Sequence, residues 1–332
     1  MAVVAELAVS NICWPDGAYA QEEAVRMLST NLVTAIDVAP GKAFPEMATV
    51  GPDGIDRDEL VAFRRTLRHN NHGVTGAMMR IAGFQAVTFG RKESIFSDDT
   101  EQVAALQEHM GGIIRLAEFV GAQTIVYGSA GTRLTGELDD ERTYERAAEF
   151  FAPLGSLAHD SGVVLGIEPV STTWTGGQAV FGRTGREVVD FAARLKTEQP
   201  GSEIKFVPDS FAMADGDGNI ARVIELAAEW NKDVLAPHAQ IAELGMVPHA
   251  MDTPIGESHR ILDDELSMAW VYAAANRERN GAPLPTLAIE MFAVKDETIP
   301  LATRLERTVL AAVFAARKHY SRSLGRYVPS AE

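Results

Sequence analysis

The chain has 332 residues, 46% of them hydrophobic, and a formal net charge of −16. That length suits one large domain or two small ones, and no apolar run nears the roughly 20 residues of a membrane span. Such acidity repels phosphate backbones and argues against nucleic acid as a partner. The one cysteine, Cys13, can form no internal disulfide, and the opening MAVVAELAVS lacks the basic start and cleavage site of a secretory signal. A cytoplasmic setting is therefore expected.

Short apolar runs and helical patterns alternate from end to end. The first run covers residues 6–12, and a helical pattern follows at 21–29. A run at 34–38 precedes a helix at 57–69. A run at 81–88 precedes a longer helix at 99–119, where Val103, Leu106, Met110, Ile113, Ile114 and Ala117 recur at helical spacing and Gly111-Gly112 offers a bend. The series continues with a run at 124–127, a helix at 139–159, a run at 163–168 and a helix at 186–196. Next come a run at 204–208 and a helix at 220–230, with Asp217-Gly218-Asn219 as its capping turn. A run at 234–237, a helix at 264–279, a run at 287–291 and a helix at 299–319 complete the series.

Most of these runs lack the polar alternation of a half-solvated sheet, which suits parallel strands buried on both faces. Eight strands and eight helices in strict order predict an α/β fold, a single (β/α)8 TIM barrel over residues 1–320, with a loosely held tail at 321–332. A doubly wound open sheet is the rival. It is weakened by the lack of G-x-G-x-x-G after the first strand. No linker, repeat or low-complexity segment divides the chain.

The last four runs read VVLGIEPVS, IKFVPDS, VLAPHAQ and LAIEMF, and they deliver Glu168, Asp209, His238 and Glu290. Taken singly, each has an ordinary explanation: a salt-bridge partner, a turn cap at Asp209 or a loop histidine at His238. Together they place one ligand-type residue at each of four successive strand ends, the active face of such a barrel. Three carboxylates with one imidazole suit Mn²⁺, Mg²⁺ or Co²⁺ better than a structural zinc. A single divalent cation is therefore expected, held by Glu168, Asp209, His238 and Glu290. Such a cation polarises a sugar carbonyl and makes a neighbouring C–H acidic, with Glu168 and Glu290 placed to move the proton.

Two long loops shape the same face. One spans 169–185 and carries Trp174; the other spans 241–262 and carries Pro248, Pro254, His249 and His259. Trp14 and Trp174 are candidate walls for a sugar ring, and His249 and His259 are candidate substrate contacts. For each of these, ordinary packing or a solvated loop is the alternative.

At these residues the sequence resembles the sugar phosphate isomerase/epimerase family, the xylose-isomerase-like TIM barrels. The resemblance covers most of the chain, through AVSNICW, FQAVTFGRKESIF, IEP, PDSFAM, PHAQIAEL and LAIEMF. It implies a divalent metal on Glu168, Asp209, His238 and Glu290, with the two glutamates as the acid/base pair of the ketose 3-epimerase branch. Two positions depart from that pattern. Many epimerases carry a second histidine three residues after the strand-6 aspartate, where this chain has Ala212. The strand-7 segment of the family continues with a basic substrate contact, where this chain continues Ala239-Gln240-Ile241-Ala242-Glu243.

A branch compatible with such changes is the catalytic subunit of bacterial C-glycoside deglycosidases, which cleave 3-keto-C-glycosides by elimination and work with a small β-rich subunit. A homo-oligomer is the expectation for the epimerase branch. Two other classes stand beside these. An apurinic-site endonuclease would need a histidine-rich zinc cluster and a basic groove, against eight histidines and a charge of −16. A non-catalytic barrel would bind no metal. In every enzymatic case the ligand is a sugar or glycoside.

Overall fold

The computed structural model describes residues 6–14, 18–30, 33–69, 79–229, 232–242, 285–290, 300 and 302–303. The helical pattern at 264–279, nearly all of that at 299–319, and the tail at 321–332 lie outside the described residues. Eight strands run in chain order: β1 (Glu6–Ser10), β2 (Ala35–Val38), β3 (Arg80–Phe84), β4 (Thr124–Tyr127), β5 (Val164–Ile167), β6 (Ile204–Phe206), β7 (His238–Ala242) and β8 (Thr286–Glu290). All pairings are parallel, in the order β6-β5-β4-β3-β2-β1-β8-β7. Isolated parallel bridges, Phe206 to Leu235 and Asp209 to Gln240, join the two outer members and close the ring.

Strand alternation sorts side chains into two cores. Val9, Ile36, Phe84, Ile125, Leu165, Ile167, Phe206, Leu287 and Ile289 face outward and pack with the helices in the main apolar core. Ala8, Ala35, Ala82 and Ala288 face inward as one small cluster. Val126, Val207 and Ala236 form a second. These interior residues are small because opposed strands of an eight-stranded barrel leave just enough room for side chains to fill. Below them, at the strand N-termini, Arg80 donates from Nε to Glu6 Oε2 at 2.6 Å and from a terminal nitrogen to Thr286 Oγ1 at 3.0 Å. That polar plug closes the bottom of the barrel.

The helices begin where the sequence supplies caps. Helices α1 (Ala18–Thr30), α2 (Pro40–Ala43), α3 (Met47–Val50) and α4 (Arg57–His69) precede α5 (Thr100–Val120), whose cap Asp99 accepts from the Glu101 N–H at 3.0 Å. Gly121, at φ 80°, ends α5 in the left-handed conformation that glycine adopts without strain. The Gly111-Gly112 pair lies inside this one continuous helix. A Cβ at Gly112 would stand 3.0 Å from Pro52 Cβ, so the glycine admits a neighbouring turn. Helix α6 (Asp140–Asp160) is capped by Asp139, and after α7 (Thr172–Thr175), α8 (Gly185–Glu198) is capped by Thr184. Helix α9 (Ser210–Gly216) is capped by Asp209 and α10 (Ile220–Ala228) by Asn219.

The main departure from the sequence expectation is β7. The apolar run at 234–237 suggested a strand ending before His238. The strand instead begins there, because Pro237 lacks an N–H and interrupts the ladder. The segment stays beside β6 on both sides of the proline. Ala236 N–H donates to Phe206 O at 2.8 Å, and Gln240 N–H donates to Pro208 O at 2.8 Å.

Interior fit is testable at Gly166. A Cβ there would overlap a Val207 methyl group, and Val207 is fully buried. Gly166→Ala is expected to destabilise the chain by about 1–3 kcal/mol through overpacking. Adding Val207→Ala should recover part of that loss, so that urea unfolding of the double variant shows less damage than the two single changes summed.

Candidate functional site

Glu168 follows β5 directly, and its N–H reaches back to Tyr127 O at 3.4 Å. Its carboxylate lies over Gly128, where any Cβ would fall inside the carboxyl group. Gly128 is thus a cradle that only glycine provides. Arg133, fully buried in a short 3-10 turn (Ala130–Arg133), donates from Nη1 to the Glu168 carbonyl at 2.8 Å and from Nη2 to the Gly128 carbonyl at 2.6 Å. One guanidinium therefore ties the ends of β4 and β5 together. Burial lowers its pKa to about 10, and the Glu168 charge opposes that fall.

Asp209 follows Pro208 and accepts the Ala212 N–H on Oδ1 at 2.6 Å. The N-terminus of α9 thus holds this carboxylate in place. Glu290 is the last residue of β8. His238, fully buried at the start of β7, places Nε2 2.9 Å from Asp37 Oδ2. The two groups are in ion-pair contact without the alignment of a hydrogen bond. Gly83 makes room for both, since a Cβ there would stand 3.1 Å from His238 Cε1 and 3.2 Å from Asp37 Oδ1.

The carboxylates interact across the barrel mouth. Burial raises Glu168 to about 8, helped by the Asp209 and Asp37 charges and opposed by Arg133. Glu168 as a residue is partly exposed, yet its Oε2 is sealed from solvent. Burial raises Asp209 to about 6 against the N–H bonds from Ala212 and Phe211. Burial, then the charges of Glu168, Asp209 and Asp37, push Glu290 well above the carboxylate range.

Among the described residues, no group of three or more His, Cys, Asp or Glu side chains is arranged to hold a metal ion. Glu168, Asp209 and Glu290 share one electrostatic environment at the mouth, while His238 turns toward Asp37.

The sequence reading passed over four residues of this layer. Asp37 is hidden in the apolar run AIDV. Gln85 lies just past β3, and Gln240 lies two residues after His238 and so on the same strand face. Gln240 Nε2 donates to Gln85 Oε1 at 2.6 Å across the barrel, and Gln85 Nε2 donates to Ser10 Oγ. All three are at least 99% buried. The alternation of β7 was the signal that could have exposed Gln240.

Trp14 is 1% exposed, packs in the outer core and donates from Nε1 to Gln21 Oε1 at 3.2 Å, so its ring offers no wall to a ligand. Trp174, on α7, is 48% exposed and meets Phe211 edge to face at 6.3 Å. His249 and His259 lie outside the described residues. No helix among the described residues is long and apolar enough to cross a membrane.

Similar folds occur among solved structures. D-psicose 3-epimerase from Clostridium cellulolyticum H10 superposes with a TM-score of 0.66 at 16% identity, over 94% of this chain and 98% of that one. The 3-keto-D-glucoside 4-epimerase from E. coli superposes with a TM-score of 0.60 at 14% identity, over 92% and 98%. The IOLI protein with a bound zinc atom gives 0.62 at 11% identity, over 95% and 99%. At these identities the likeness carries the fold. No curated protein matches the sequence. The family model for the xylose isomerase-like TIM barrel matches residues 22–279, and the chain belongs to that family.

Proposed function

We propose that this chain is a divalent-metal-dependent enzyme that removes a proton from a carbon beside a sugar carbonyl. The observation that carries this reading is the excess of buried carboxylate at the barrel mouth. Glu168, Asp209, Glu290 and Asp37 face one another's charge there. The buried guanidinium nearby, Arg133, gives two of its N–H groups to backbone carbonyls. Buried carboxyl groups on this scale either hold protons or take up a cation. Glu168 Oε2 and Gln240 Oε1 are buried with no hydrogen-bond partner among the described residues, and the donors are hard oxygens. In kind, therefore, Glu168, Asp209 and Glu290 fit a divalent cation such as Mn²⁺ or Mg²⁺. When bound, that cation would hold vicinal sugar oxygens and polarise the carbonyl.

The remaining steps belong to the chain. Glu168 and Glu290 reach the mouth from strands three apart in the ring, and each is held above the ordinary carboxylate range. A carboxyl group tuned toward neutrality can take a proton from carbon and return one. One glutamate removes the proton and the other delivers it to the opposite face, which inverts the carbon. Arg133 and Gly128 keep Glu168 in position, and the first turn of α9 does the same for Asp209. The structural neighbours whose names specify sugar epimerases agree with this chemistry.

A second reading, elimination of an aromatic aglycone from a 3-keto-C-glycoside, is favoured by one observation. Next to the Asp209 carboxylate stands the buried methyl group of Ala212, and the buried Phe211 ring packs against the half-exposed Trp174. These neighbours are apolar and aromatic where a ketose chain would call for polar contacts. In this reading a small β-rich subunit would accompany the chain.

Free ketoses, sugar phosphates and 3-keto-glycosides incubated in D₂O with Mn²⁺-loaded protein separate these readings by NMR. Deuterium entering carbon beside the carbonyl without cleavage is the expected result, release of an aglycone would favour elimination, and no exchange with any class would overturn the proposal. Glu168→Gln and Glu290→Gln should each slow exchange by about 10²–10⁴-fold while the melting curve shows a folded protein.

The raised pKa of Glu168 also predicts a stability profile. In chelator, its native state holds a proton that the unfolded chain has already released, across a window from 4.5 to about 8. The contribution of this group therefore falls as pH rises through that window. The urea midpoint of Glu168→Gln should drop less across it than that of the wild type, and equal drops would remove Glu168 as a strongly shifted group.

A further inference from the structure

The side chain that β7 offers to the carboxylates is fixed by register. Asp209 and Gln240 are direct partners in the bridge that closes the barrel, so their side chains leave the sheet on the same face. Gln240 pairs in turn with Ala288, two residues short of Glu290. His238 pairs with Thr286, four residues short of Glu290, which places it roughly 13 Å lower along β8 at 3.3 Å per residue. A path from Asp209 to Glu290 through Gln240 stays level and then rises one inward position. The same path through His238 drops one inward position and must then rise two.

The polar partners of each residue agree with the register. His238 starts lower on β7, and its ring stands in contact with Asp37 beside Gly83. Gln240 is 1% exposed and commits Nε2 to Gln85 Oε1 at 2.6 Å. Gln85 is anchored on Ser10 in turn. That chain of amides orients Gln240 and leaves its Oε1 buried without a hydrogen-bond partner among the described residues. An amide oxygen held in this way beside carboxylates is unfavourable by itself, and is a good donor to a hard cation.

We infer that the neutral amide of Gln240, rather than the imidazole of His238, is the strand-7 ligand of the cation proposed above. This inference rests on that reading. It makes the donor set all oxygen, from Glu168, Asp209, Gln240 and Glu290. Such a set suits Mn²⁺ and Mg²⁺ and narrows the advantage that a nitrogen donor gives Zn²⁺ and Co²⁺.

The test is metal binding by chelator-stripped protein, followed by the electron paramagnetic resonance of free Mn²⁺. Competition with Zn²⁺ and the visible absorption of Co²⁺ supply second readouts. The wild type is expected to bind Mn²⁺, and Gln240→Ala to weaken it by at least about tenfold. Gln240→His should still bind metal, shift the preference toward Zn²⁺ and Co²⁺ by about tenfold or more, and alter the Co²⁺ spectrum as nitrogen enters. His238→Asn should hold Mn²⁺ within about threefold of wild type, short of the 10–100-fold cost of losing a metal-supporting group. Melting curves establish that each variant is folded.

If His238→Asn loses Mn²⁺ while Gln240→Ala retains it, this assignment is wrong and the metal-dependent function stands. If the folded wild type binds no divalent metal, both fall.

Discussion

Several carboxyl groups are held together in a place that water scarcely reaches. Glu168, Asp209, Glu290 and Asp37 meet at the barrel mouth, and burial is the largest cause of the shift at each of the first three. A barrel filled there with valine and isoleucine would be more stable, since unpaired buried charge is among the most destabilising features a core can hold. The layers beneath show the alternative, with Ala8, Ala35, Ala82 and Ala288 packed as an ordinary apolar cluster. The change from alanine to carboxylate along the same strand faces marks where packing ends and chemistry begins.

Much of the surrounding structure holds those charges in position. Asp209 is fixed by the first turn of α9, whose N–H groups stabilise a negative charge. Glu168 is fixed from behind by Arg133, which binds the backbone carbonyls of Glu168 and Gly128 and so locks two strand ends. Gly128 and Gly83 supply space where a methyl group would displace a functional side chain. Each of these residues fixes the position of a buried ionisable side chain at the mouth.

The barrel was legible in the sequence because each strand is a short apolar run and each helix carries its own signal. Asp99, Asp139, Thr184 and Asn219 cap their helices, and Gly121 ends α5. Legibility failed where a local rule conflicted with sheet geometry. Pro237 suggested the end of a strand, whereas in the fold it interrupts one ladder bond, the chain stays beside the β6 segment as far as Gln240, and β7 runs on to Ala242. That misplaced boundary drew attention to His238, which pairs with Asp37. It obscured Gln240, which shares a register position with Asp209. Asp37 was missed for a related reason, since one carboxylate inside AIDV has no sequence neighbour that reveals its partner on β7. Trp14, which the sequence offered as a pocket wall or as packing, is buried in the outer core.

The division between strand ends and loops also locates specificity. The carboxylates sit on or next to strands, where backbone pairing fixes them. The surface a ligand would meet next comes from α7 and α9, through Trp174 and Phe211. Loops can exchange side chains with little effect on the barrel, whereas inward strand positions cannot. Solved barrels with 11–16% identity and TM-scores of 0.60–0.66 share this frame. Ala212 lies at the boundary between the two regimes. Its backbone N–H holds Asp209, a task any residue but proline can perform, so the buried side chain at position 212 can change without releasing that carboxylate.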